Sequence, residues 1–172
     1  MALIREVRGY HPQIDESCWL AENATVIGEV TLGKNCTVWY NAVVRGDVNY
    51  IRVGDNVNIQ DGAVIHCTYE KAGTTMGNNV SIGHNALVHG CTLMDNVLVG
   101  MGAIVMDNVV VHPNSIIGAG AVVLENTIVP EGSIFAGIPA KKVKDADDRT
   151  KEIIARTARN YPMYARWFTE SA

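Results

Sequence analysis

The run from residue 97 to residue 129, VLVGMGAIVMDNVVVHPNSIIGAGAVVLENTIV, decides how this chain folds. An aliphatic residue returns at every sixth place, at Val99, Val105, Val111, Ile117, Val123 and Val129. Four places after the first five of these stand Ala103, Val109, Ser115, Ala121 and Thr127, small or β-branched. A six-residue step does not match the helical period of about 3.6, and the glycines and β-branched residues disfavour a helix. Positions one and five pointing inward, with polar residues between them, describe short strands joined by tight corners. Three such strands make one coil of a triangular prism. Coils stacked at about 4.8 Å satisfy each other's backbone groups and bury a column of aliphatic side chains.

The same step extends in both directions. Upstream it carries Ile14, Leu20 and Val26, then Leu32, Val38 and Val44, Val53, Ile59 and Ile65, Met76, Ile82 and Val88, and Leu93, so the repeat covers roughly residues 14–139. Nine residues separate Val44 from Val53 and eleven separate Ile65 from Met76, which predicts loops leaving the prism after RGD (45–47) and around HCTYEKAGTT (66–75). Past AGIPAKKVK the repeat stops. In DRTKEIIARTARNYPMYARWF (148–168), Ile153, Ile154 and Ala158 fall among Lys151, Arg156 and Arg159 at helical spacing, and Pro162 is expected to kink or restart the helix. The division expected is a β-helix over 1–140 and a C-terminal helical extension over 141–172, of one or two helices packed along the prism.

A chain of 172 residues with 48% apolar residues supports one packed domain. The net charge of −4 and the scattered lysines and arginines argue against a nucleic-acid partner. No apolar run of about eighteen residues occurs, and Arg5, Glu6 and Arg8 interrupt the first ten positions, so neither a membrane anchor nor a secretory signal is expected and the location expected is cytoplasmic. Cys18, Cys36, Cys67 and Cys91 show no CxxC spacing. Kept reduced, they suggest neither a zinc ribbon nor a disulfide framework. Cys18 and Cys36 share an inward column as small filler, and Cys67, next to His66, points the opposite way along its strand.

Coil-by-coil alignment places the histidines. On the third face of successive coils, position two is Ile27, Arg45, His66, His89 and Met106. Position two points outward, so His66 and His89 stack on one outer face about 4.8 Å apart, close enough for two imidazoles to share one metal ion. His84 stands instead in the column Tyr40, Asp61, His84, Met101 of the second face. Within one chain the three do not converge. Around a threefold axis, the His84 column of one copy can meet the His66/His89 column of the next, giving three sites per trimer. A three-histidine set leaves a fourth coordination position open, the mark of a catalytic site more than a structural one. His11 and His112 fall in other columns and read as surface or capping residues.

With RGD at Arg45–Asp47, NIQDGAVIH at Asn58–His66 and SIGHNALVHG at Ser81–Gly90, the chain resembles the γ-class carbonic anhydrases over nearly its whole length, including the AGIPAK close. The resemblance implies a single-stranded left-handed parallel β-helix of hexapeptide repeats with a C-terminal α-helix, assembled as a homotrimer with metal sites at the subunit interfaces. His66 and His89 match two metal ligands from one subunit and His84 the ligand from the next, for Zn²⁺ or, in its place, Fe²⁺ or Co²⁺. Arg45 and Asp47 match the family's interface pair. Asn58, Gln60 and Asp61 match residues lining the site, with Gln60 placed to orient a water, and Tyr161 looks like a tail tyrosine near the site. The activity implied is attack of a metal-bound hydroxide on CO₂ to give bicarbonate. Two departures point to weak activity: Val48 stands where the archetype has an acidic residue, and the acidic loop after the first histidine is reduced to CTYEKAGTT, with Glu70 its one carboxylate. The rival readings are a coenzyme A-dependent acyltransferase or thioesterase, and a noncatalytic metal-binding trimer.

Overall fold

Corners of the coil are set by the fourth hexad position. Nine asparagines there (Asn35, Asn41, Asn56, Asn79, Asn85, Asn96, Asn108, Asn114 and Asn126) have φ between 54° and 61°, and Gly62, Gly102, Gly120 and Gly132 take the same left-handed region at equivalent places. Asparagine and glycine enter that region at least cost, so each hexad turns where one of them occurs. The computed structural model describes residues 1–170. The last two residues of the expected 141–172 extension lie outside the described residues. These turns wind the chain into a left-handed parallel β-helix of about seven coils with one C-terminal helix.

Register agrees with the sequence columns. The first face stacks Ile14, Leu32, Val53, Met76, Leu93, Val111 and Val129. The second stacks Leu20, Val38, Ile59, Ile82, Val99, Ile117 and Phe135, and the third Val26, Val44, Ile65, Val88, Val105 and Val123. The interior of the prism is these three columns, buried from the second coil upward, plus most of the small fifth-position residues, with Thr127 half-buried near the last coil. Each fully buried Val, Ile or Leu contributes about 1.5–3 kcal/mol, so the outer faces are held rigidly from within.

The first interruption of the repeat is not a loop. Val43–Val53 is one continuous 11-residue strand paired with Thr25–Leu32. The register steps from Gly28↔Gly46 to Val30↔Ile51, five residues on one strand against two on the other. The extra residues form a bulge in the ladder. It closes because Gly28, at φ +76°, lies against the Gly46 carbonyl, where a Cβ would collide. The second interruption does leave the prism: Thr68 and Ala72 bridge antiparallel about a turn with Glu70 at φ 53°.

Past residue 140 the chain does not turn helical at once. Lys141–Asp145 forms a strand antiparallel to Ser133–Ala136, and a single helix, α1, runs from Asp148 to Glu170. Asp147 caps it, Oδ1 accepting from the Thr150 amide at 2.8 Å and the Thr150 hydroxyl at 2.5 Å. Pro162 neither ends nor restarts the helix. It removes one donor toward the Ala158 carbonyl, but Ile154, Ala158 and Ala165 are buried against the prism on both sides of it, and that packing outweighs the missing bond. Tyr161 and Phe168 meet Trp39 edge-on, at centroid distances of 5.3 Å and 5.8 Å, fixing α1 along the second face. No helix among the described residues is long and apolar enough to cross a membrane.

Candidate functional site

His66 and His89 end two adjacent strands of the third face and are paired in register. Their side chains alternate outward from the buried Ile65 and Val88. The rings meet edge-on with centroids 5.0 Å apart, and His66 Nδ1 lies 3.0 Å from His89 Nε2. Each ring's other nitrogen faces a carboxylate: His66 Nε2 stands 3.0 Å from Asp47 Oδ1 and His89 Nδ1 2.6 Å from Asp107 Oδ1.

Electrostatics assign the protons. Burial pushes the Asp47 carboxyl up, but hydrogen bonds from His66 and Arg45 outweigh it and hold Asp47 below the usual range. At Asp107 burial is likewise outweighed, by hydrogen bonds from Thr68 and His89. Both carboxylates are therefore ionised at neutral pH, and each draws the imidazole proton onto the nitrogen facing it. For His66, burial is the largest influence and lowers its pKa against the Asp47 hydrogen bond, with Arg45 and His89 lowering it further. With each ring's proton on the nitrogen facing its carboxylate, the other two nitrogens turn lone pairs toward each other at 3.0 Å. A cation between them relieves that repulsion, and the donor set, two oriented neutral imidazoles, fits zinc and other borderline divalent metals.

His84 is on the second face, past the strand Ser81–Ile82. Its Nδ1 is 2.9 Å from Asp61 Oδ2. This is a close approach of ring and carboxylate on an exposed part of the face, without the aligned hydrogen bond that His66 and His89 make to theirs. Beside it, Gln60 Nε2 donates to Asn58 Oδ1 at 2.9 Å and Asn58 Nδ2 to Ser81 Oγ at 2.8 Å. Asn58 is thus buried scaffolding behind Gln60, which keeps its carbonyl and one N–H free of that chain. Tyr161 closes this side from α1. Burial, and then the nearby Asp61, push its phenol up to about 12. Gln60, His84, Tyr161, Leu98 and Ile116 line an apolar cavity of about 400 Å³.

The structure therefore sorts the sequence-derived residues into two groups. Arg45, Asp47, His66 and His89 share the third face, and Arg45 Nη1 donates to Asp47 Oδ2 of its own chain at 2.5 Å. Asn58, Gln60, Asp61, His84 and Tyr161 share the second. Among the described residues, no three His, Cys, Asp or Glu side chains of one chain are grouped to hold a metal. Cys67 and Cys91, next to the histidines, are buried in the core and turn away from both groups. Sequence reasoning missed Asp107 and Thr68; the signal was Asp107's place one coil beyond Gly90, beside the His89 ring.

A family model described as bacterial transferase hexapeptide (six repeats) matches residues 11–46 and 90–125. "Gamma carbonic anhydrase 2, mitochondrial" of Arabidopsis thaliana is 41% identical over 155 residues, 87% of this chain and 56% of that protein. The chain thus spans little more than half of that longer relative. "Carbonic anhydrase" of Geobacillus kaustophilus is 37% identical over 92% of this chain and 87% of its own length. The crystal structure of a hexapeptide transferase family protein from Anaplasma phagocytophilum superimposes with a TM-score of 0.93 at 38% identity, covering 96% of this chain and 98% of that one.

Proposed function

We propose that this chain, which belongs to the γ-carbonic anhydrase family of hexapeptide-repeat proteins, hydrates CO₂ at a divalent metal held between subunits of a homotrimer. His66 and His89 of one subunit and His84 of its neighbour would hold the ion, zinc in the first instance, with Fe²⁺ or Co²⁺ accepted by the same imidazole set. The observation that carries the reading is the 3.0 Å approach of His66 Nδ1 to His89 Nε2, with each outer nitrogen on an ionised carboxylate.

When bound, such an ion lowers the pKa of its water to about 7 and so supplies a nucleophile at neutral pH. The chain's own residues do the rest. Asp47 and Asp107 hold His66 and His89 in the tautomer whose other nitrogen is bare for the ion, and Asp61 stands beside His84 Nδ1. Arg45 keeps Asp47 charged. Gln60, fixed from behind by Asn58, offers an amide to a small polar reactant, and the aliphatic wall of Leu98 and Ile116 suits apolar CO₂. Proton release to solvent is the weak step: Val48 is half-buried against the core and offers no carboxyl, and Glu70 is exposed at the tip of its turn.

Metal analysis of anaerobically purified protein, with stopped-flow CO₂ hydration by wild type and His84→Ala, tests the reading. The expected result is one metal per chain in wild type, slow hydration, and loss of both in His84→Ala. Wild type that retains metal without hydrating CO₂ refutes the activity, and a metal-free wild type refutes the centre.

One observation favours a second reading. A cavity of about 400 Å³ exceeds what CO₂ needs and could admit an acyl chain, and the Anaplasma phagocytophilum neighbour is titled a transferase family protein. Acyl-CoA thioester hydrolysis or transfer predicts release of free thiol from a panel of acyl-CoA substrates, abolished by His84→Ala.

A further inference from the structure

The carboxylate of Asp107 lies outside every motif by which the site was recognised, yet it makes the shortest contact to either histidine of the third face, 2.6 Å from its Oδ1 to His89 Nδ1. Its other oxygen, Oδ2, accepts from the Thr68 hydroxyl at 2.5 Å. Thr68 is in turn fixed by the bridge to Ala72 and by Asn49 Nδ2, which donates to the Thr68 carbonyl at 3.2 Å. Three coils thus converge on one carboxylate: Thr68 from below, His89 from the middle and Asp107 from above.

Local backbone makes room for it. Val88 and Leu93 are five residues apart where the uninterrupted coils, Val105–Val111 and Val123–Val129, take six, so the corner after His89 is cut short and Gly90 takes φ +55°. A Cβ on Gly90 would collide with Asp107 Oδ1 and crowd the Ala72 methyl at 2.9 Å. The gap left by that glycine is what the carboxylate fills on its way to the ring. The arrangement is the one that orients a metal-ligating imidazole: a carboxylate on one nitrogen fixes the tautomer and ring angle and makes the other nitrogen a better donor.

We propose that Asp107, clamped by Thr68, is the positioning residue for His89, holding it as the Nδ1–H tautomer so that Nε2 is bare toward the ion. The inference rests on the metal-centre reading above for its purpose, and on the Asp107–His89–Thr68 geometry alone for its structure. Thr68 therefore couples the excursion at residues 68–72 to a ligand, and a displacement of that turn is felt at His89.

Two measurements on the full chain separate the two. Histidine side-chain nitrogen NMR of the metal-free protein at pH 8 reads the tautomer directly. The expected result is Nδ1–H for His89 in wild type, a shift toward Nε2–H in Asp107→Ala, and retention in Asp107→Asn, whose amide oxygen still accepts. Zinc titration against a competing chelator reads the consequence: binding about 10- to 100-fold weaker in Asp107→Ala, with Asp107→Asn intermediate. Thr68→Val, which keeps the shape and removes the clamp, weakens binding in the same direction and covers the case in which Asp107→Ala does not fold. An Nε2–H tautomer in wild type, or unchanged tautomer and zinc affinity in Asp107→Ala, overturns the proposal. A wild-type Nδ1–H tautomer lost in Asp107→Ala, in a protein that binds no zinc, upholds the positioning role and overturns the metal reading instead.

Discussion

His84 Nδ1 is held 2.9 Å from Asp61 Oδ2 on a face of the prism that carries neither His66 nor His89. The aligned registers make this unavoidable: His84 follows Ile82 in the second-face column, and His89 follows Val88 in the third. A site that needs all three must borrow His84 from another copy.

Subunit mixing tests that borrowing. Neither His84→Ala nor a His66→Ala/His89→Ala double variant should bind zinc alone. Trimers containing both should recover one site each, because one of the three interfaces then joins an intact pair to an intact His84. Zinc content by mass spectrometry of co-expressed, differently tagged chains reads the outcome. No recovery in mixed trimers would exclude a shared centre.

The depressed His66 pKa has a thermodynamic consequence in the metal-free protein. Below about pH 6.5 the unfolded chain takes up a proton at this ring while the folded chain resists it, so stability falls as pH drops from there toward the folded-state pKa. Above that range the contribution is flat. Urea midpoints from pH 8 to pH 5 in the presence of a chelator should decline in wild type and decline less in His66→Gln.

Helix α1 depends on its first turn. Replacing Asp147 by Ala removes the acceptor for the Thr150 amide and hydroxyl and should cost about 1 kcal/mol. Ile154, 1% exposed, should cost about 2–5 kcal/mol when cut to Ala. Because Tyr161 and Phe168 pack on Trp39, tryptophan fluorescence should report loosening of the helix in either variant.

Ser133 Oγ is buried and, among the described residues, meets no hydrogen-bond partner. Its neighbour Ser115 already donates to the Pro113 and Pro130 carbonyls. An orphaned buried hydroxyl costs about 1–3 kcal/mol, so Ser133→Ala should raise the denaturation midpoint.

The columns were legible in the sequence because a fixed period converts residue number into height and direction. The period alone stacks His66 on His89 and places Asp61 under His84. Where the period breaks, legibility ended. The nine-residue step from Val44 to Val53 reads as a loop, because pattern alone does not reveal that Gly28 lets Gly46 come close enough to keep the ladder paired. Pro162 reads as a helix breaker until the burial of Ala158 and Ala165 on either side is known. Asp107 stayed hidden for a related reason: its reach to His89 depends on the shortened corner at Gly90, and a missing residue has no signature beyond a count of five.

Identical coils that stack without limit would make a fibre, since every parallel strand at the end of a column exposes unpaired amides and carbonyls to the next molecule. On the second face that growth is stopped by Lys141–Asp145, laid backward across Ser133–Ala136 with Lys141, Lys142 and Lys144 in its five residues. Reversed direction and repeated positive charge make it a poor template for another chain. The strand that ends the repeat thus sets the length of the particle and discourages its polymerisation.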